Sequence, residues 1–113
     1  MNQSNSLLGR WNIYKMEVWG KDYFNMEIQA YIQIDNNLLG NFQFGLVSGD
    51  MDGKFVEESG VEKYRFNWEG NDECDAASGN GWVKMKDKDI IGGEFEIFHT
   101  DSSTFMAKRV VDV

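Results

Sequence analysis

Turn-forming residues punctuate this chain at short intervals, and that spacing constrains its fold more than any other feature. "WGKD" at 19–22, "DNN" at 35–37, "SGD" at 48–50, "EESG" at 57–60, "SGNG" at 78–81, "KDKD" at 86–89 and "HTDSS" at 99–103 leave only short runs between them. Those runs alternate apolar and polar residues with a period of two, as half-buried strands do. Eight can be counted, over residues 10–19, 27–35, 39–47, 51–58, 62–69, 81–86, 90–98 and 104–110. The pattern predicts an all-β chain forming a single antiparallel up-and-down barrel of about eight strands, with a two-sheet β-sandwich as the alternative. A helical pattern occurs only in "KDYFNMEIQAYI" at 21–32, whose first part can form one helical turn.

The alternation also assigns faces. Ile28, Ala30, Ile32 and Ile34 share one side of the second run, and Phe42, Phe44 and Leu46 one side of the third. With Tyr64, Phe66, Trp68, Val83, Met85, Phe95 and Ile97, they make a bulky set of candidates for the inner face. An eight-stranded barrel has room either for such side chains or for one small ligand. The first run carries apolar residues on both faces, since Tyr14, Met16, Val18 and Trp19 cannot all lie beside Trp11 and Ile13. A bent strand is expected there, and Tyr23, Phe24 and Met26 follow as a lid or an interaction patch.

The 113 residues fit one domain, 1–113, with residues 1–8 read as a flexible N-terminal segment. Cys74 is the single cysteine, so no internal disulfide can form, and a reducing compartment is expected. The opening "MNQSNSLLGR" lacks a basic-then-apolar leader, and no run approaches the roughly 20 apolar residues that span a bilayer. A cytoplasmic protein without membrane contact is therefore expected. The net charge is −8 and the eleven Lys and Arg are scattered along the chain. That disfavours direct binding to nucleic acid or an anionic membrane and suits a basic protein partner.

One stretch invites a chemical reading. "EGNDECDAASGNGW" at 69–82 holds Glu69, Asp72, Glu73 and Asp75. A calcium loop of the D-x-[DN]-x-[DN]-G-x5-E type fails here, because Ala76 falls at the glycine and Trp82 at the final glutamate. Read as a long connection between strands five and six, the stretch would close a barrel rim, with Trp68 and Trp82 at its base as a recognition lip. Cys74 sits among anions, which disfavours its thiolate. His99 is the single histidine, and Glu94 and Glu96 alternate outward against Phe95 and Ile97. No serine elbow, phosphate loop or histidine cluster is present. No catalytic residue, metal or cofactor is expected, and an enzyme is not the leading reading. A hydrolase or isomerase would need a carboxylate buried in a cleft.

The two ends carry a further signal. Gly9-Arg10-Trp11 opens the first strand and Ala107-Lys108-Arg109 lies in the last. This resembles the calycin superfamily of barrels, comprising lipocalins, fatty-acid-binding proteins and avidins. The resemblance implies that Trp11 packs near one barrel end and that Arg109 covers its ring, with Gly9, Trp11 and Arg109 structural. The chain is shorter than lipocalins and lacks their disulfides, so the likeness is architectural and brings no ligand with it. "FQFG" at 42–45 and "WEGNDE" at 68–73 with "SGNGW" at 78–82 also resemble a group of small bacterial proteins, a likeness that implies no activity.

Two functions are expected from these features. One is a non-enzymatic barrel that binds a small apolar or aromatic ligand through Phe44, Tyr64, Trp68, Trp82, Tyr23 and Phe24. The other is an acidic protein-binding module, or an inhibitor of a basic or nucleic-acid-binding partner. An open interior supports the first, and a plugged interior counts against it. Either could act as a monomer or a homodimer.

Overall fold

The computed structural model describes residues 6–110. Eight strands run in order: β1 (Gly9–Met16), β2 (Tyr31–Ile34), β3 (Leu39–Phe44), β4 (Val47–Glu58), β5 (Val61–Asp72), β6 (Asp75–Asp87), β7 (Ile90–Ile97) and β8 (Ser102–Arg109). A single helical turn, α1 (Lys21–Phe24), lies between β1 and β2. Each strand pairs antiparallel with its sequence neighbour. β1 then pairs with β8, from Trp11 opposite Arg109 to Met16 opposite Phe105, and closes the barrel. The up-and-down barrel holds, and the sandwich does not.

β1 bends as its two-faced sequence requires. Its register against β8 shifts between Ile13 and Lys15, so Trp11, Ile13 and Met16 are all buried in spite of their uneven spacing. One extra residue in a strand produces such a bulge. β2 is shorter than its alternation suggests, and Ile28 is 47% exposed. The segment before β2 is held instead by Asn25, whose Oδ1 accepts the Ala30 amide at 2.9 Å.

The stretch at 69–82 is not a loop. Glu69 pairs with Ser78, Asn71 with Ala76 and Asp72 with Asp75, leaving only Glu73 and Cys74 at a tight tip. Its glycines, which read as turn signals, serve the interior instead. In cross-strand register Phe42 faces Gly49, Phe66 lies between Gly53 and Gly81, and Trp68 faces Gly79. Phe95 faces Gly81, and Phe105 faces Gly93. A Cβ on Gly49 would stand 2.6 Å from the Trp68 ring, and one on Gly93 2.9 Å from Phe105. Each missing side chain is the space that an aromatic ring occupies, which is how large and small residues fill a narrow barrel. At Gly79 the close approach also lets the Trp68 Nε1–H donate to the Glu96 carbonyl at 3.2 Å.

Both ends are shut. At one, Leu7 and Trp11 are buried, and the Trp11 Nε1–H donates to the Leu7 carbonyl. The Arg109 guanidinium lies 4.2 Å over the Trp11 ring and donates to the Ser6 and Leu8 carbonyls at 2.7 and 3.2 Å. Residues 6–8 thus plug this end of the barrel; residues 1–5 of the 1–8 segment lie outside the described residues. At the other end α1 inserts Phe24, which is buried, while Tyr23 packs on Gly45. The Gly45 amide donates to the Phe24 carbonyl at 2.8 Å, and the Leu46 amide to the Tyr23 hydroxyl. Gly45 has a φ of 60° and would collide with Tyr23 through any Cβ, so both conformation and space require glycine.

Gly81→Ala places a methyl 2.4 Å from the Glu94 carbonyl oxygen and 2.6 Å from Phe66. Urea unfolding will show a loss of about 1–3 kcal/mol or more. Gly20→Ala, whose Cβ meets nothing within 4 Å, will stay within about 0.5 kcal/mol. Arg109→Ala uncovers Trp11 and strips two carbonyls of their donors, at a cost of about 2 kcal/mol. Arg109→Lys will recover only part of that, because one ammonium cannot cover the ring and reach both carbonyls.

Candidate functional site

Of the six residues expected to contact a ligand, Phe24, Phe44, Tyr64 and Trp68 are buried in the interior and Tyr23 is half-buried at its lid, and all of these but Phe24 join a series of ring contacts. Tyr23 packs on Trp19 and Trp19 on Phe44, with centroids 6.0 and 5.1 Å apart. Phe44 meets Phe42 and Phe95, and Phe42 meets Trp68 edge-on at 5.1 Å. Phe95 continues to Phe66 and Phe105, and Phe66 to Tyr64. Phe44, Tyr64, Trp68 and Phe24 are each at most 2% exposed, and Tyr23 is half-buried at the lid. Their ring neighbours are other aromatics of the barrel: Trp19, Phe42 and Phe95 for Phe44, Phe42 for Trp68, and Phe55 and Phe66 for Tyr64.

Trp82 is elsewhere. It points outward from β6, one position from the buried Val83, so it shares no rim with Trp68. The expected pair of indoles at a loop base is corrected by the pleat: directly opposed residues share a face, Trp68 with the inward Gly79 and Trp82 with the outward Arg65, so the two tryptophans lie on opposite faces of the wall. Lys63 Nζ lies 4.6 Å from the Trp82 ring, and the Trp82 Nε1–H donates to Glu94 Oε1 at 3.3 Å.

Tyr64 has a structural task at the barrel floor. Its hydroxyl donates at 2.7 Å to the carbonyl of Leu38, a residue held at φ 72° in the β2–β3 turn. Burial, followed by the charges of Asp52 and Asp35, pushes the phenol well above its ordinary range.

Cys74 is exposed at the β5–β6 tip and His99 is exposed in the β7–β8 turn. Among the described residues no group of three His, Cys, Asp or Glu is placed to hold a metal ion. No helix among them is long and apolar enough to cross a membrane.

The outer wall of β4 and β5 holds the feature that sequence reading missed. The two strands pair so that Asp50 faces Glu69 directly and Asp52 faces Asn67. Asp50, Asp52 and Glu69 are exposed, and none is within ion-pair distance of a cation among the described residues. Like charges directly opposite on a sheet face destabilise it. Three surface depressions meet at this pair. One runs to Asp35, Leu39 and Asp52, one to Ala76, Phe98 and His99, and one to Tyr31 and Asn71. The register follows from the tight Ser59–Gly60 turn, which sets Glu58 against Val61 and every pair above it. Counting back from that turn in "EESG" would have opposed Asp50 to Glu69, had "SGD" not been taken as a turn of its own.

At the other end of the β4–β5 hairpin the charges are paired. Glu58 accepts from Arg65 through both oxygens, at 2.7 and 2.9 Å, and from Lys63 at 3.1 Å. These hydrogen bonds, Arg65 first and Lys63 second, hold its carboxyl down to about 2.

Compared with protein-family models, curated proteins and solved structures, the chain matches none of them.

A Glu58 carboxyl lowered in the folded state stabilises that state above its unfolded value near 4.5, and the benefit is lost as pH falls through about 2. Carbon-detected NMR titration will place the Glu58 midpoint below those of the other glutamates. The stability gap between wild type and Glu58→Gln will be constant above pH 4.5 and shrink below it. A normal Glu58 midpoint would show that the triad with Arg65 and Lys63 does not persist in solution.

Proposed function

We propose that this protein is a non-catalytic acidic binding module that docks a basic segment of a partner protein on the outer wall of β4 and β5. The observation that carries this reading is the directly opposed, unpaired Asp50 and Glu69. A lysine or arginine entering between them relieves a repulsion that the free protein must bear. Asp35 and Asp52 extend the same field along a neighbouring depression, and the charge of −8 attracts a cationic partner at long range. Inhibition of a basic or nucleic-acid-binding protein is one use for such a face.

The filled interior weighs against the reading in which the barrel carries a small apolar ligand within. Entry would require displacing Phe24 or Trp11 and unpacking several rings. The Trp11–Arg109 stack supports the calycin-like reading of the architecture, and the exposed lone cysteine supports a reducing, cytoplasmic setting. The outward positions of β4 and β5 are charged or amide-bearing at Asp50, Asp52, Arg65, Asn67 and Glu69, which suits a wall that faces water.

A fluorescein-labelled peptide of alternating Lys and Gly, titrated with the intact protein at low ionic strength, tests the proposal. Fluorescence anisotropy will saturate, weaken as salt is raised, and weaken about tenfold in Asp50→Asn/Glu69→Gln. Asp50→Asn alone will raise folding stability by about 0.2–1 kcal/mol while lowering affinity. Absence of saturable binding, or equal binding by the double variant, would sink the reading.

A further inference from the structure

On the opposite side of the barrel the closed sheet gathers cations that are scattered in sequence. Across β6, β7, β8 and β1 the outward residues in register are Lys84, Gly92, Met106 and Lys15. Neighbouring strands lie about 4.8 Å apart, so the two ammonium-bearing strands flank a strip about 14 Å wide. Lys86 lies one pleat from Lys84 on β6, and Lys108 one pleat from Met106 on β8. None of these four lysines has a carboxylate within ion-pair distance among the described residues.

Between them the wall sinks into a groove of about 600 Å³ lined by Lys15, Trp82, Lys84, Lys86, Gly92 and Met106. Gly92 makes the depression, since a side chain there would meet the Lys86 stem at 2.9 Å and the Met106 sulfur at 3.3 Å. Glu17 also lines this groove, and Asp87 follows Lys86 at the end of β6. Glu94 accepts from Trp82, and Glu17 accepts from the Thr104 hydroxyl at 3.2 Å.

We infer that this groove docks an acidic peptide segment of another protein, with an apolar side chain on Met106 and Gly92 and carboxylates on the surrounding lysines. The three lysines that line the groove, Lys15, Lys84 and Lys86, have no carboxylate partner among the described residues and, around an apolar floor, are complementary to a short chain that alternates acid and apolar groups. Trp and Met are the residue types enriched at such interface centres. The open, strip-like shape suits an extended chain. A long polyanion such as a nucleic acid would run past the patch, over Glu17, Glu94 and a surface of net charge −8 that repels it. The site lies on different strands from the acidic wall of β4 and β5 and does not depend on it.

The test uses a fluorescein-labelled peptide of alternating Glu and Leu and a thymidine oligonucleotide of equal charge, each titrated with the intact protein at low ionic strength. The peptide will saturate, bind more tightly than the oligonucleotide, and lose about tenfold in affinity with Lys84→Glu/Lys86→Glu. Lys54→Glu, on β4 and outside the groove, will bind as wild type does. Gly92→Val, which fills the floor without changing charge, will weaken binding by a similar factor. Circular dichroism will establish that the variants are folded; if the double lysine variant is not, Lys15→Glu takes its place. No saturable peptide binding, equal binding by folded lysine variants, or tighter binding of the oligonucleotide would each overturn the inference.

Discussion

The interlock of aromatic rings with glycines across the strands is the constraint on which this barrel depends. Phe66 lies between Gly53 and Gly81, and Trp68 stands over Gly79 close enough for its indole to reach the Glu96 carbonyl. A narrow eight-stranded bore cannot hold a ring from every strand at one level. Phe42, Phe66, Trp68, Phe95 and Phe105 each face a glycine on at least one neighbouring strand. The rings then touch in a continuous series from Tyr23 at the lid to Tyr64 at the floor. The same arrangement packs the bore with side chains from lid to floor.

Filling the bore makes the ends structural as well. Trp11 needs a dry site, and Arg109 provides it by lying on the ring while its other donors fix the incoming chain at Ser6 and Leu8. At the far end Tyr23 and Phe24 do comparable work from a four-residue helix too short to be stable alone. Packing against Gly45 and the hydrogen bond to its amide hold that turn in place. With core and ends committed to stability, the outer wall is left as the place for function.

The architecture was legible in the sequence because period-two alternation and turn spacing are local signals. Ile32 and Ile34, Phe42 and Phe44, and Tyr64, Phe66 and Trp68 all point inward as their alternation requires. Two of the errors, the loop at 69–82 and the place of Trp82, share one cause. Glycine marks turns in most sequences, so "SGNG" and "SGD" were read as chain reversals, whereas Gly49, Gly79 and Gly81 sit within strands and make room for rings. That misreading turned β6 into half a loop and moved Trp82 to a rim it does not occupy. The outer charges were illegible for a different reason. Asp50 and Glu69, or Lys84 and Lys15, become neighbours only once the register and the closing β1–β8 seam are known.

That seam is also what divides the surface by charge. An open sheet would leave Lys15 on one edge and Lys84 two strands from the other, too far apart to form one field. Closure through β1 and β8 brings them to either side of Gly92 and Met106, while Asp50 and Glu69 stay on the opposite wall. The closed barrel thus presents an acidic wall and a lysine-bearing wall on opposite sides. Each face is held rigidly because each lies on strands whose inner side chains are locked against a neighbour's glycine or ring. The backbone positions of its charges are therefore fixed by the core, while the exposed charged side chains keep their own rotamer freedom.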